Sequence, residues 1–222
     1  MKKSILVIGG TGYIGNYLVN LFFTEGYKVT ATYNNKTLKN KKIKYVKCDI
    51  RKENSVKRIF EKNKYDIVIN TATSFDPSNH DLNSISKSFT TNITGHNNLI
   101  KYSEKIGVKL FIYFSSISVY EGIKNDKNGF NEDMKCHPKM LYSSSKVYAE
   151  NLLKHYCNCS KMNGLVLRIS GVHGQGRKNG FIYNFINNAL NNKQIKINEP
   201  TSKFRITFLD DLGQAMLSIL NK

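Results

Sequence analysis

Tyr142 and Lys146 stand four residues apart in the run LYSSSKVYAE, residues 141–150. On a helix, residues i and i+4 share one face, so a phenol and an ammonium at this spacing can converge on one point. The chemistry they could do together is proton transfer. A tyrosine with an ordinary pKa of about 10 is a poor proton shuttle at neutral pH, and each unit of lowering asks for roughly 1.4 kcal/mol. A nearby cation stabilises the phenolate, and a drop of about three units would need roughly 4 kcal/mol. A Y-x-x-x-K pair is common by chance. Its weight here comes from what precedes it.

The chain opens on the apolar run Ile5, Leu6, Val7, Ile8, followed at once by Gly9-Gly10-Thr11-Gly12-Tyr13-Ile14-Gly15. A short β-branched run bounded by glycines reads as a buried strand entering a phosphate-binding turn. Gly9 permits a tight turn, Gly12 lets the backbone approach a pyrophosphate, and Gly15 lets the next helix pack closely on the strand. That helix, over residues 13–24, would point its free N–H groups, with Tyr13 and Ile14 in its first turn, at the phosphates. A dinucleotide is the implied cofactor, and its oxidised nicotinamide ring would add a second positive charge near Tyr142.

The elements that must position these groups alternate. Strands are expected at residues 5–8, 28–32, 44–48, 67–70, 110–115 and 165–169, with the clearest helices at 55–61, 85–106 and 142–156. Such alternation requires a doubly wound parallel α/β sheet of Rossmann type, with helices on both faces. Residues 1–170 form that cofactor-binding domain. Beyond Gly171 the pattern changes to glycine-rich loops, a helix near 181–191 and short strands around Ile195 and Phe204. Residues 171–222 are therefore expected to be a small substrate-facing segment, including a helix that returns to the core, because ligands of open α/β sheets sit outside the carboxyl ends of the strands.

Composition bounds the rest. With 222 residues, 40% of them apolar, the chain can bury a sizeable core. No apolar run is long enough to cross a bilayer, so no membrane partner is expected. Cys48, Cys136, Cys157 and Cys159 show no metal-ligand spacing and read as reduced cytosolic thiols, with no metal site. The net charge of +18 invites a nucleic-acid reading. The lysines are scattered, however, and the one dense stretch, residues 36–44, lacks interleaved aromatics. No specific nucleic-acid partner is expected, although loose binding to polyanions at low salt is.

Taken in order, these segments resemble the extended short-chain dehydrogenase/reductases, the NAD-dependent epimerase/dehydratase family. The glycine turn is similar to that family's cofactor turn. Cys48-Asp49-Ile50 resembles the segment that touches the adenine, and Thr71-Ala72 the strand end beneath the cofactor. Thr91-Asn92-Ile93-Thr94-Gly95 resembles the N-V-x-G-T helix motif. Residues 111–120, FIYFSSISVY, resemble the strand carrying the catalytic hydroxyl, which falls on Ser116. Residues 205–211 resemble the stretch whose arginine, here Arg205, grips a sugar-nucleotide diphosphate. The resemblance implies a Ser116–Tyr142–Lys146 site in which Tyr142 moves a proton, Lys146 lowers its pKa and holds the nicotinamide ribose, and Ser116 hydrogen-bonds the reacting oxygen. It also implies a homodimer through the helices near residues 85–106 and 142–156, and a cytoplasmic enzyme acting on a nucleotide-activated sugar.

Departures from the family pattern refine this expectation. Where NAD-preferring relatives place an acidic residue after the second strand, this chain has Tyr33, then Asn34, Asn35 and Lys36. With no carboxylate to repel a 2′-phosphate and Lys36 or Lys39 to attract one, NADP is favoured over NAD as the NAD(P) cofactor. Relatives that dehydrate sugars carry Thr-Asp-Glu at the catalytic hydroxyl, whereas this chain carries Ser116-Ile117-Ser118. That speaks for 4-keto reduction or C4 epimerisation, with Ser118, His173 and Arg205 as substrate contacts. Relatives commonly run on for roughly a hundred residues past this point, so a minimal substrate lobe is expected. A reductase of a smaller carbonyl compound and a noncatalytic NADP-binding regulatory protein are the alternatives.

Overall fold

A computed structural model describes residues 2–35, 42–75, 82–123, 129–197, 200 and 204–221. The chain divides into two compact units, Met1–Ile169 and Ser170–Lys222.

The first unit is built on six parallel strands: β1 (Ser4–Ile8), β2 (Lys28–Tyr33), β3 (Lys44–Lys47), β4 (Ile67–Asn70), β5 (Leu110–Ser116) and β6 (Asn163–Ile169). Their order across the sheet is β3-β2-β1-β4-β5-β6. The order reverses between β1 and β4, and a crevice for a ligand opens at the carboxyl ends there. The strands are near-continuous apolar runs because both faces are covered. Ile5, Leu6, Val7 and Ile8 are fully buried, as are Val68, Ile69, Phe111 and Ile112. The helices α1 (Tyr13–Thr24), α2 (Glu53–Lys62), α3 (Leu82–Phe89), α4 (His96–Lys105) and α5 (Leu141–Asn158) provide that cover. Between α3 and α4 the helix widens into a π-helical stretch, Thr90–Gly95, which turns Asn92 and Gly95 inward. A 3₁₀ turn, Ile117–Tyr120, follows β5 directly.

The second unit holds a two-stranded parallel pair, β7 (Gly171–His173) and β8 (Ile206–Phe208), with α6 (Phe181–Leu190) and α7 (Leu209–Leu220). The strand expected around Ile195 does not form. Residues 193–197 are irregular, and an isolated apolar pair without a ladder partner has no means of satisfying extended backbone groups.

Candidate functional site

The glycine turn joins β1 to α1. Gly9 has φ +76°, a left-handed conformation that penalises any side chain. A Cβ on Gly15 would run into the Gly9 carbonyl oxygen and approach Thr71 Oγ1 to 2.8 Å, so the first turn of α1 sits directly on the strand ends. Gly12 differs. Its backbone is extended (φ −75°, ψ 169°), open to any residue, and an added Cβ would meet only Gly9 O, at 3.3 Å. Nothing in the fold demands glycine there, which fits close approach of a ligand from outside the chain. Helix α1 carries neither a capping side chain nor an acidic residue in its first turn. Its positive end is left for an anion, and these residues therefore fit the pyrophosphate of a dinucleotide.

Ser116 ends β5, and Tyr142 and Lys146 lie one turn apart on α5. The Tyr142 phenol lies near the Thr73 and Ser116 hydroxyls, and its ring packs against Phe75, with centroids 4.6 Å apart. The Ser116 hydroxyl also accepts the Ser118 N–H at 3.2 Å. Lys146 is 2% exposed. Its Nζ donates to the Phe114 carbonyl at 2.8 Å and lies 4.8 Å from the Tyr113 ring centroid and 5.6 Å from that of Tyr142.

The electrostatics depart from the sequence-based expectation. Burial pushes the Tyr142 phenol above its ordinary value, against the pull of the nearby Thr73 and Ser116 hydroxyls. Lys146 itself is pushed down to about 7 by burial, with the Glu150 charge opposing that shift. The ammonium is spent on the Phe114 carbonyl and the faces of two rings rather than on the phenolic oxygen. It does not lower the phenol by itself, because a half-neutral amine 5.6 Å from the ring centroid offers little of the 4 kcal/mol that roughly three units require.

Several supporting residues lie outside the motif. Asn92 is fully engaged: Oδ1 accepts the Ser74 N–H (2.8 Å) and Thr73 Oγ1 (3.2 Å), while Nδ2 donates to Ser74 O (2.9 Å) and Ser145 Oγ (3.1 Å). It staples the loop after β4, including the Thr73 that meets Tyr142, to α5. Glu150, one turn beyond Lys146, is gripped by Arg168, whose Nη2 reaches Oε2 at 2.7 Å and whose Nε donates at 3.1 Å. Ser115 Oγ donates to the same carboxylate. Arg168 also donates to Tyr120 Oη and, at 3.0 Å, to Glu132 O. His96 is 1% exposed, bonded to Asn70 through Nδ1 at 3.0 Å and tilted on Tyr113. Burial pushes it down to about 3, with the Lys146 charge adding to the shift. Glu150 was legible as the i+8 member of the Tyr142–Lys146 face. Thr73, His96 and Arg168 had no such signal.

The remaining expected residues are dispersed. Tyr13 and Ile14 occupy the first turn of α1. Thr71 Oγ1 donates to Ile8 O at 2.7 Å and Ala72 N–H to Asn70 Oδ1 at 3.1 Å, so both line the floor of the glycine turn. The Asp49 carboxylate is forked by Arg51 Nε and Nη2, both at 2.8 Å, and those bonds hold it below the usual carboxylate range. Ile50 is buried beneath Gly95, where a Cβ would approach its Cγ1 to 2.6 Å. Asn34 is exposed just after β2, and Lys36 and Lys39 lie outside the described residues. The Ser118 hydroxyl is buried and makes no hydrogen bond among the described residues. His173, on β7, and Arg205, just before β8, belong to the second unit.

The family model described as NAD dependent epimerase/dehydratase family matches residues 5–222, and the chain belongs to that family. It is 31% identical to the dTDP-D-glucose 4,6-dehydratase of Dictyostelium discoideum, over 99% of this chain and 56% of that protein. It is 29% identical to the UDP-glucuronate 4-epimerase of Thermodesulfobacterium geofontis, over 97% of this chain and 71% of that one. A solved UDP-glucose 4-epimerase from Thermotoga maritima, with UDP-glucose, superimposes at a TM-score of 0.86 and 25% identity, over 96% of this chain and 72% of that one. The chain thus spans little more than half the length of the Dictyostelium relative.

Proposed function

We propose that this member of the family is an NAD(P)-dependent oxidoreductase or epimerase of a nucleotide-activated sugar, reducing a 4-keto group or inverting C4. The observation that carries the proposal is the placing of two hydroxyls, Ser116 and Tyr142, close enough for the Ser116 side chain to pull on the phenol, beside a buried Lys146. A pure binding module needs none of the three. When bound, the cofactor supplies or takes the hydride. Tyr142 Oη gives a proton to, or takes one from, the reacting sugar oxygen, and Ser116 Oγ donates a hydrogen bond to the same oxygen as charge develops on it. The raised phenol suits the donor role. The acceptor role requires a positive nicotinamide ring nearby, since Lys146 does not itself depress Tyr142. Lys146 would hold the ribose of the bound cofactor, and the Ser118 hydroxyl, unpaired among the described residues, is a candidate contact for the sugar. Ile117 and Ser118 supply no acid or base for loss of water, so dehydration, the activity in the name of the Dictyostelium relative, is not proposed here.

A nicotinamide-absorbance screen of nucleotide sugars with NADH and NADPH tests the class. Tyr142→Phe should lower turnover by about 10³-fold or more with cofactor affinity nearly intact, and near-normal turnover would sink the assignment. Lys146→Ala should damage both turnover and cofactor affinity.

The cofactor is proposed to be NADP in preference to NAD, because Tyr33 ends β2 and the exposed Asn34 follows it where a ribose-binding carboxylate would stand. Tyr33→Asp should shift preference toward NADH, and calorimetry showing tighter NADH binding in the unmodified protein would refute this. We also propose a homodimer through the helices α3 to α5, supported by the exposed apolar side chains Leu82, Phe89 and Tyr148. Light scattering at micromolar concentration decides it, and a monomer removes the proposal. In the second unit Arg205 is proposed to hold the substrate diphosphate through its fork of donors.

A further inference from the structure

At the end of the sheet remote from the glycine turn lies a cavity of about 370 Å³ in the first unit. The register explains its make-up. Ser4 pairs with Lys28 and Thr30 with Lys44, which sets the starts of β1, β2 and β3 side by side. Lys28 and Thr30, two apart on one strand, face the same way. Lys62, the last residue of α2, and Lys64 and Tyr65 in the segment after it line the same cavity.

Four of the eight lining residues are lysines and none is acidic. In the whole chain only 34 of 222 residues are Lys or Arg, so the cavity concentrates charge well beyond the average composition. The nearest carboxylate in sequence, Asp66, is already engaged, taking the Ser4 N–H at 2.8 Å and Lys109 Nζ at 3.2 Å. The floor is polar. Thr30 and Tyr65 are each 6% exposed, and the buried Tyr65 hydroxyl, although beside Thr30, makes no hydrogen bond of acceptable geometry among the described residues. Burial also raises the Tyr65 phenol, which keeps its proton available for donation. A buried donor without an acceptor is costly unless something else supplies one.

We propose that this cavity is a second ligand site, one that binds a multivalent phosphate anion such as a linear inorganic polyphosphate or the free diphosphate of a nucleotide. Lysines act on phosphate as flexible point charges, which suits a chain of tetrahedral groups better than a planar carboxylate. The cavity is distinct from the cofactor crevice. Ser4 begins the strand that Gly9 follows, five residues on, which at the rise of a β-strand separates them by roughly 16 Å.

The test is a calorimetric titration of tripolyphosphate into the full chain at about 150 mM salt, where loose attraction to a +18 protein is largely screened. Saturable binding of one tripolyphosphate per chain is expected. The double variant Lys28→Ala/Lys62→Ala should weaken it about tenfold or more, and Tyr65→Phe severalfold with the same melting temperature. A control of equal charge loss at exposed positions outside the cavity, Lys105→Ala/Lys154→Ala, should change affinity less than about twofold. If the double variant does not fold, Lys44→Gln/Lys64→Gln makes the same comparison. Equal loss in cavity and control variants, binding without saturation, or binding to a single-stranded oligonucleotide but not to tripolyphosphate would each overturn the proposal. None of these outcomes depends on the proposed enzymatic activity.

Discussion

Gly12 and Gly15 allow the cofactor assignment to be separated from the requirements of the fold. At Gly15 an added methyl collides with the Gly9 carbonyl, which already accepts the Gly12 N–H at 2.9 Å and cannot withdraw without opening the turn. Alanine gains about 1 kcal/mol of helix propensity there. Overpacking against backbone costs about 1–3 kcal/mol and the two-sided clash with Thr71 Oγ1 puts it at the upper end, leaving a net loss of about 2 kcal/mol. For a chain of this size that is a fall of roughly 4–8 °C in melting temperature. At Gly12 the backbone is already compatible with alanine, and the single 3.3 Å contact is offset by the roughly 0.4–1 kcal/mol gained by restricting the unfolded chain. Gly12→Ala should therefore melt within about 3 °C of the parent while binding NAD(P)H about tenfold more weakly or worse. Thermal unfolding and a fluorescence titration of the reduced cofactor read the two effects separately. A Gly12→Ala protein with parental affinity would refute the phosphate-approach role, and one as unstable as Gly15→Ala would refute the packing analysis beneath it.

Glu150→Gln removes a charge that raises Lys146, so the alkaline limb of activity should move to lower pH. A limb that stays in place would show that Lys146 need not be charged in the reaction. His96 stays neutral in the fold down to about pH 3, whereas an unfolded histidine takes up a proton near pH 6.5. The unfolded state thus binds more protons in that window, and stability should fall as pH drops from about 6.5 toward 3. Denaturant titrations of His96→Asn should show a flatter decline over the same range, and an identical slope would exclude the residue as a source of acid sensitivity.

The sheet was legible because its strands are apolar runs punctuated by glycine and polar turns, and the six expected strands agree with those observed to within two residues at each end. What escaped depends on tertiary demand. The π-helical stretch is not written in propensity. It exists because Asn92 must reach both Ser74 and Ser145. Strand β7 is three residues long, too short to show a period. Helix α7 is different, since Leu209, Leu212, Met216 and Leu220 recur at helical spacing and are buried. Reading residues 205–211 as a single motif hides that the segment splits at Phe208, with Asp210 and Asp211 entering the first turn of a helix, where acidic groups favour the dipole.

The candidate site divides along the same line. Residue types and spacing place Ser116, Tyr142 and Lys146 together, but spacing carries no information about dielectric. On a solvated helix the same pair would titrate close to its ordinary values. Here Lys146 lies in a compartment walled by Tyr113, His96 and Phe114, and burial outweighs the pair interaction, drawing the amine down to about 7 and the phenol up. Glu150 opposes the downward shift of Lys146, and its carboxylate is held in place by Arg168 and Ser115. Arg168 is in turn fixed by Tyr120 and by the Glu132 carbonyl, in the segment that leads to α5. The carboxylate that faces Lys146 is thus oriented by an arginine on β6 that no motif singles out, so the surroundings of the amine depend on a residue that does not touch it.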